Sequence, residues 1–396
     1  MTQPVQSSRN LIIVTTAKGM VPMLTAELER LGIHAQGSTE TGVSVVGDMD
    51  VALRLNLYLR SAHRVLWKLG DGVAHHPDQL HKRLMSLPWE DWIPLPGYVC
   101  VTSSGRSASG DDPRFVALKT KDAIMDRIKQ ACGSRPDAGP ERNRTVIHTH
   151  WEGTHYTVYF DTSGEPLSHR GYRLQPGKAP MRETLAAACL QGAGWDPVTP
   201  LINPMCGSGT IAIEGALIAS RTAPGLLRDN FGFMHLRDWP REAWSKLLAA
   251  ARRERIIRPP VIRIIANDHD PVAVEAARAN AKRAGVDAWI HFSVTDFRKN
   301  LLPPPPGLLI FNPEYGERMG EASALAEHYR AIGDYMKQSA QGYTGAIFTG
   351  NADMIKAVGL KPRTKLQLFN GPIEGRLLIY DLYAGTKRDR RAKAGT

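Results

Sequence analysis

Apolar positions along this chain follow two different periods, and the change falls near Met181. Before it, NLIIVTTA reads as a strand, GMVPMLTAELERLG carries apolar residues at helical spacing, and GVSVVGD returns to a strand. DVALRLNLYLRSAHRVLWKLG continues as an amphipathic helix running into a strand. A second α+β stretch holds the strand YVCVTSS, the basic helix FVALKTKDAIMDRIKQACG, and a strand pair around TVIHTHWEG and HYTVYFDTSG. The Gly- and Pro-containing SHRGYRLQPGKAP reads as the linker out of it.

After Met181, helices alternate with short, wholly apolar runs: LINP, VIRIIAND, WIHFSV, LLIFNP and GAIFTGN. Uninterrupted apolar strands between helices indicate a parallel sheet covered on both faces. The last pair, KLQLFN and RLLIYDLY around GPIEG, reads instead as an antiparallel hairpin. A parallel sheet that closes on a hairpin points away from a dinucleotide dehydrogenase. The stretch 225–260 reads as a helical insertion between two of the strands. The fold class is therefore α/β, with smaller α+β units in front.

At 396 residues the chain needs two or three domains, and its 42% apolar and 22% charged residues are an ordinary globular mixture. No run approaches the ~20 apolar residues that span a bilayer, so a cytoplasmic protein is expected. The four cysteines lie far apart with no C-x-x-C pair, which excludes the common zinc spacings; no metal is expected. The net charge of +11 points to a polyanionic partner such as nucleic acid. The excess is uneven: residues 1–175 carry 20 Lys/Arg against 18 Asp/Glu, and residues 176–396 carry 30 against 21, part of it in the tail TKRDRRAKAGT.

Chemistry gathers at the ends of the apolar runs, where ligands bind in open α/β sheets. LINP leads into Met205-Cys206-Gly207-Ser208-Gly209-Thr210 and then a helix. Glycines there let the backbone approach a ligand, and the missing P-loop lysine argues against nucleotide hydrolysis. The next run ends in Asp268, placed to accept from both hydroxyls of a ribose, while Asp270 before Pro271 fits a helix N-cap. The third ends near Asp296, which can receive an adenine amino group. Glycine turn, acid and acid on successive tips point to an adenosyl ligand. The fourth tip is Asn312-Pro313-Glu314-Tyr315. It is either a plain strand-to-loop turn or a pocket rim. As a rim, the Asn312 side-chain oxygen and the Pro313 carbonyl would accept both N–H groups of a nucleobase amine, favouring the charge that develops in methyl transfer. Tyr315 would stack the extruded base. Cys206 fits as a small apolar filler.

In order along the chain, TTAKGMVPMLTAELERLG, KTKDAIMDRIKQACGSRP, DTSGEPLSHRGYR, PMRETLAAACLQGAGW, NPMCGSGTIAIEGALIA, ANDHDPVAVEAARANAKRAG, NPEYGERMG and FNGPIEGRLLIYDLY resemble the THUMP-domain RNA methyltransferases. The chain is most similar to the bacterial enzymes that methylate the 2-amino group of guanine in large-subunit ribosomal RNA. The resemblance implies a ferredoxin-like unit over residues 1–65, a THUMP domain over 66–172, a class I (Rossmann-like) methyltransferase domain over 173–386 and a basic tail over 387–396. It implies S-adenosylmethionine as cofactor, RNA as partner and no membrane; a monomer is expected. By this resemblance Asn203, Met205, Gly207, Gly209 and Thr210 form the cofactor loop, with Asp268, Asp296 and Asn312 as further ligands. Arg182, Glu183 and Thr184 match a cofactor-covering segment, and Asn312, Pro313 and Tyr315 match the target-amine motif. Lys119, Lys121, Arg170 and Arg173 are candidate RNA contacts. Two positions depart from the family pattern. Asn203 stands where an aspartate is usual, and Glu314 stands where a second proline is usual. Transfer RNA, an adenine 6-amino group, or a degenerate factor that only binds RNA are the alternatives.

Overall fold

The computed structural model describes residues 9–173, 181–259, 261, 263–313 and 322–384. Two compact units divide the chain. One comprises Met1–Thr16, Leu24–His169 and Pro224–Arg253, and the other Ala17–Met23, Arg170–Ala223 and Glu254–Thr396.

The first unit is built on one eight-stranded sheet. Its elements run β1 (Asn10–Thr15), α1 (Val21–Arg30), β2 (Ala35–Thr39), β3 (Gly42–Gly47), α2 (Met49–Tyr58), β4 (Arg64–Val73), α3 (Pro77–Leu84), α4 (Trp89–Trp92), β5 (Tyr98–Ser104), α5 (Pro113–Cys132), β6 (Asp137–Ala138), β7 (Thr145–Glu152) and β8 (His155–Asp161). The strand order is β2-β3-β1-β4-β8-β7-β5-β6. β4 pairs antiparallel with β1 on one side and β8 on the other, so the expected division at residues 65/66 falls within a strand that joins the two halves. The long basic helix α5 starts where Asp112 accepts the Arg114 N–H at 2.7 Å and Pro113 occupies the first turn.

The second unit carries α6 (Glu183–Gly192), β9 (Leu201–Pro204) and α7 (Thr210–Ala219). The chain then returns to the first unit for α8 (Arg241–Glu254). The insertion expected at 225–260 is therefore present, and through Arg253 it belongs to the first unit. The Thr145 hydroxyl donates to the His235 carbonyl at 3.2 Å, and Arg228 donates to the carbonyls of Pro166 and Ser163 at 2.7 and 3.0 Å. The second unit resumes with β10 (Ile264–Asp268), α9 (Pro271–Ala284), β11 (Ile290–Val294), β12 (Leu308–Phe311), α10 (Ala322–Ser339), β13 (Thr344–Thr349), β14 (Thr364–Asn370) and β15 (Ile373–Asp381).

Its sheet has the order β11-β10-β9-β12-β13-β15-β14, parallel through β13 and antiparallel at β15 and β14. The closing hairpin is tighter than GPIEG implied. Asn370 pairs with Ile373, leaving only Gly371-Pro372 as the turn, because Glu374 and Gly375 continue the ladder. The apolar runs are strands because both faces are covered: every residue of β9 and β12 is buried, and α10 lays Tyr329, Ile332 and Met336 against Phe311 and Ile347. Among the described residues no helix is long and apolar enough to cross a membrane.

Candidate functional site

The carboxyl ends of β9, β10, β11 and β12 lie on one edge of the second sheet and carry the residues the sequence singled out. After β9, Met205 and Gly207 adopt left-handed backbone with φ of 64° and 52°. The turn is tied to the next strand by the Cys206 N–H on the Asn267 carbonyl and the Gly207 N–H on the Asp268 carboxylate, both 2.9 Å. Gly209 (φ 82°) begins α7, and a Cβ there would stand 2.8 Å from the Ala277 Cβ, so α9 could not pass as closely. At Gly207 a Cβ would meet nothing within 4 Å, which leaves this face of the loop accessible to a ligand.

Asp268 is 8% exposed, at the β10 tip, and also accepts the Asp270 N–H at 3.1 Å. Asp270 caps α9 by accepting the Val272 N–H at 2.9 Å, the structural role expected of it. Asp296 stands after β11, where its carboxylate is paired with the Arg298 guanidinium and caps a short turn. That pairing holds its carboxyl down at about 2. An adenine amine reaching Asp296 would share the carboxylate with Arg298. Cys206 is buried, and burial pushes its thiol far above the ordinary range, in keeping with a filler rather than a nucleophile.

Among the buried oxygens of this unit without a partner in the described residues are the Asn203 Oδ1 and the Asn312 Oδ1, at the ends of β9 and β12, and the Thr184 Oγ1. A buried polar atom left unpaired costs roughly 1–3 kcal/mol, and at the carboxyl end of a parallel sheet a ligand can complete the bonding. Asn203 explains its own departure from the family pattern. Its amide nitrogen donates to the Ile310 carbonyl at 3.1 Å, bridging β9 to β12 just beyond the backbone pairs Leu201–Leu308 and Ile202–Leu309. An ionised aspartate could not donate there; the amide does, and its oxygen stays an acceptor. Pro313 is buried beside Asn312. Tyr315 and Glu314 lie outside the described residues.

Two of the four expected RNA contacts have other work. Arg170 is 1% exposed and pairs with Glu214 at 3.5 Å, where the Tyr172 hydroxyl also donates at 3.3 Å; it cannot reach a nucleic acid. Arg173 is turned onto the glycine loop. It donates to Glu183 at 3.0 Å, the Ser208 hydroxyl at 3.2 Å, the Met181 carbonyl at 2.9 Å and Thr210 at 3.1 Å. Lys119 and Lys121 belong to the first unit and line a groove of about 890 Å³. The sequence reading missed the positioning residues Asn280, whose amide holds the Ser208 carbonyl at 3.0 Å, and His328, whose Nε2 lies 3.4 Å from the Met205 sulfur. Nothing short-range signals either partnership.

A parallel sheet closed by a reversed hairpin, with a glycine loop after its first strand and acids on the next two tips, defines a class I methyltransferase domain. The chain belongs to the family described as RMKL-like, methyltransferase domain, which matches residues 170–379. An RlmL ferredoxin-like domain matches residues 11–66 and a THUMP domain residues 74–161. A ribosomal RNA large subunit methyltransferase K/L from Syntrophotalea carbinolica is 37% identical over 93% of the chain and 53% of its own length. The chain thus spans about half the length of the K/L relatives it matches. The putative RNA methyltransferase slr0064 of Synechocystis is 32% identical over 93% of the chain and 96% of its own length. Among solved structures, a possible methylase from Clostridium difficile superposes with a TM-score of 0.86 at 27% identity, covering 96% of this chain and all of that one. SMU.472, a putative methyltransferase complexed with SAH, superposes with a TM-score of 0.83 at 27% identity over the same shares.

Proposed function

We propose that the chain is an S-adenosylmethionine-dependent RNA methyltransferase acting on the exocyclic 2-amino group of a guanine in large-subunit ribosomal RNA, in the cytoplasm. The observation that carries the reading is the pair of buried Asn203 and Asn312 side-chain oxygens at the strand tips, which have no partner among the described residues. The names of the K/L relatives support the ribosomal substrate, and the SAH held by SMU.472 supports the cofactor.

The donor set fits that cofactor. Asp268 would accept from the ribose hydroxyls, Asn203 and Thr184 would accept from the amino-acid end, and the Gly207–Gly209 loop would lie against it, braced by Arg173 and Asn280. When bound, the cofactor would supply a methyl group from its sulfonium centre, the sulfur keeping the electron pair of the broken S–C bond. The protein's share is placement and polarity. Asn312 Oδ1 and the Pro313 carbonyl would accept the two amine N–H groups. They would align the nitrogen lone pair and favour the ammonium-like charge that grows as the N–C bond forms. The proton then leaves to water.

Incubation with unmodified ribosomal RNA and isotope-labelled S-adenosylmethionine, followed by nucleoside mass spectrometry, tests the reading. Labelled 2-methylamino guanosine is the expected product. Labelled 6-methylamino adenosine would keep the chemistry and overturn the base. Absence of label, with RNA still bound and no saturable cofactor affinity, would favour an RNA-binding factor.

A further inference from the structure

The groove around Lys119 and Lys121 has little net attraction for a polyanion. Its cations Lys82, Lys119, Lys121 and Arg135 face Asp78, Asp122, Asp126 and Asp137. Lys119 is already held by Asp78 at 2.8 Å, which draws the Asp78 carboxyl below its ordinary range. A second cleft in the same unit, about 320 Å³, has the opposite character. It forms where the inserted segment meets the β5–β7 side of the sheet, and Arg144, Arg237 and Arg241 line it with all three side chains exposed. One carboxylate, Asp238, stands against them among the described residues lining it. Its volume lies within the range of about 300–1,000 Å³ usual for small-ligand clefts.

The walls are flat and fixed. Trp239 is half-buried, with the Phe233 ring centroid 5.9 Å and the Arg241 guanidinium 5.3 Å from its own, and Tyr98 is held by its hydroxyl, which accepts the Glu141 N–H at 3.0 Å. The turn that presents Arg237, Trp239 and Arg241 is anchored by the Arg237 N–H on the Trp92 carbonyl at 2.9 Å and closed by the Arg241 N–H on the Trp239 carbonyl at 2.8 Å. Asp238 between them has a φ of 53°, a left-handed conformation that a non-glycine residue keeps only where its surroundings hold it. Burial and the nearby Arg144 lower the His235 pKa, so the patch draws its charge from the arginines.

Arginines beside aromatic and guanidinium planes are what a single-stranded nucleic acid requires: cations for phosphates and flat faces for an unpaired base. We infer that this cleft is a docking site for single-stranded RNA, with Trp239 and Tyr98 against a base and Arg144, Arg237 and Arg241 on the flanking phosphates. The inference rests on the RNA-substrate reading above and assigns the contact to the inserted segment rather than to the Lys119 groove.

The test uses the full chain, a fluorescent single-stranded RNA 12-mer and anisotropy over a salt series. Each phosphate that an arginine neutralises adds roughly 0.7 to the slope of log affinity against log salt, so the R144A/R237A/R241A variant should flatten that slope by about 2. W239A should weaken binding roughly tenfold, and W239F should restore most of it. The K82A/K119A/K121A/R135A variant should keep the native slope. A native circular dichroism spectrum and a urea transition of the first unit matching that of the native protein show that each variant is folded. If the native protein binds the RNA and the triple-arginine variant binds with the same affinity and slope, the inference is overturned. If the native protein binds cofactor but no RNA, the RNA reading itself fails and takes this site with it.

Discussion

Asn203→Asp restores the usual family residue, and two accounts of Asn203 predict opposite results. If the amide is a lost function, the carboxylate should fit without penalty. The geometry says otherwise. The Asn203 amide nitrogen is the donor to the buried Ile310 carbonyl at 3.1 Å, and the side chain is 1% exposed. An ionised aspartate turns this bond into a carboxylate facing a carbonyl. Losing the bond and leaving a buried acceptor unpaired costs about 1–3 kcal/mol, with a further charge penalty that the site can relieve by protonating the acid. For a unit of this size each kcal/mol lowers the melting temperature by about 2–4 °C, so a fall of roughly 3–10 °C is expected at pH 7.5. The sign with pH follows from burial. The new carboxyl should titrate above its unfolded value, so the deficit is largest at neutral pH and narrows below about pH 5, where the protonated acid can again donate to Ile310. Thermal unfolding without cofactor, at pH 7.5 and pH 5, reads both effects. The methyltransferase transition is the one that moves up on adding S-adenosylmethionine. An Asn203→Asp protein that melts with the native one at pH 7.5 would refute the bridging role.

Other consequences are as direct. Asn312→Ala should abolish methyl transfer while calorimetric cofactor affinity stays within a few-fold; equal loss of both would remove Asn312 from the target amine. Arg173→Ala strips the glycine loop of its hold on Ser208 and Thr210 and should weaken cofactor binding about tenfold, and because it leaves the buried Glu183 carboxylate without this partner it should also lower the melting temperature by several degrees. Unchanged affinity would make Arg173 a linker residue only. Burial first, then His150, Arg64 and Arg142, push the His148 pKa down to about 4, while Thr102 and Ser104 bond its two ring nitrogens at 2.9 Å. The unfolded chain takes up a proton near pH 6.5 that the folded one refuses. First-unit stability should therefore be full above about 6.5 and decline toward pH 4, by on the order of 3 kcal/mol. Urea melts at pH 7 and 4.5 should show that loss in the native protein and a smaller one in His148→Gln; equal losses would place the pH sensitivity elsewhere.

What the sequence made legible follows the range of the interactions involved. β9, β10, β12 and β13 could be read because burial on both faces demands unbroken apolar runs, and Asp270 could be read as a cap because its partner is two residues away. β2, AQGST, could not, since every residue of it is exposed and no alternation marks it. Charge was visible in sequence while its partner was not. Arg170 looked like an RNA contact until Glu214, 44 positions on, claimed it, and Arg173 until the loop at Ser208 did. Asn203 could be read only as a departure from the family pattern for the same reason, because the Ile310 carbonyl that its amide bonds is 107 positions distant. The inserted segment shows the rule at the scale of a unit. Its helix is written in local periodicity, but its return to the first sheet depends on bonds such as Thr145 to His235 and Arg228 to Pro166, which no window of sequence contains. Surface cations are thus the residues whose roles are least readable from composition. An arginine inside a salt bridge and an arginine open to phosphate are the same letter, and only the acids around each one decide between them.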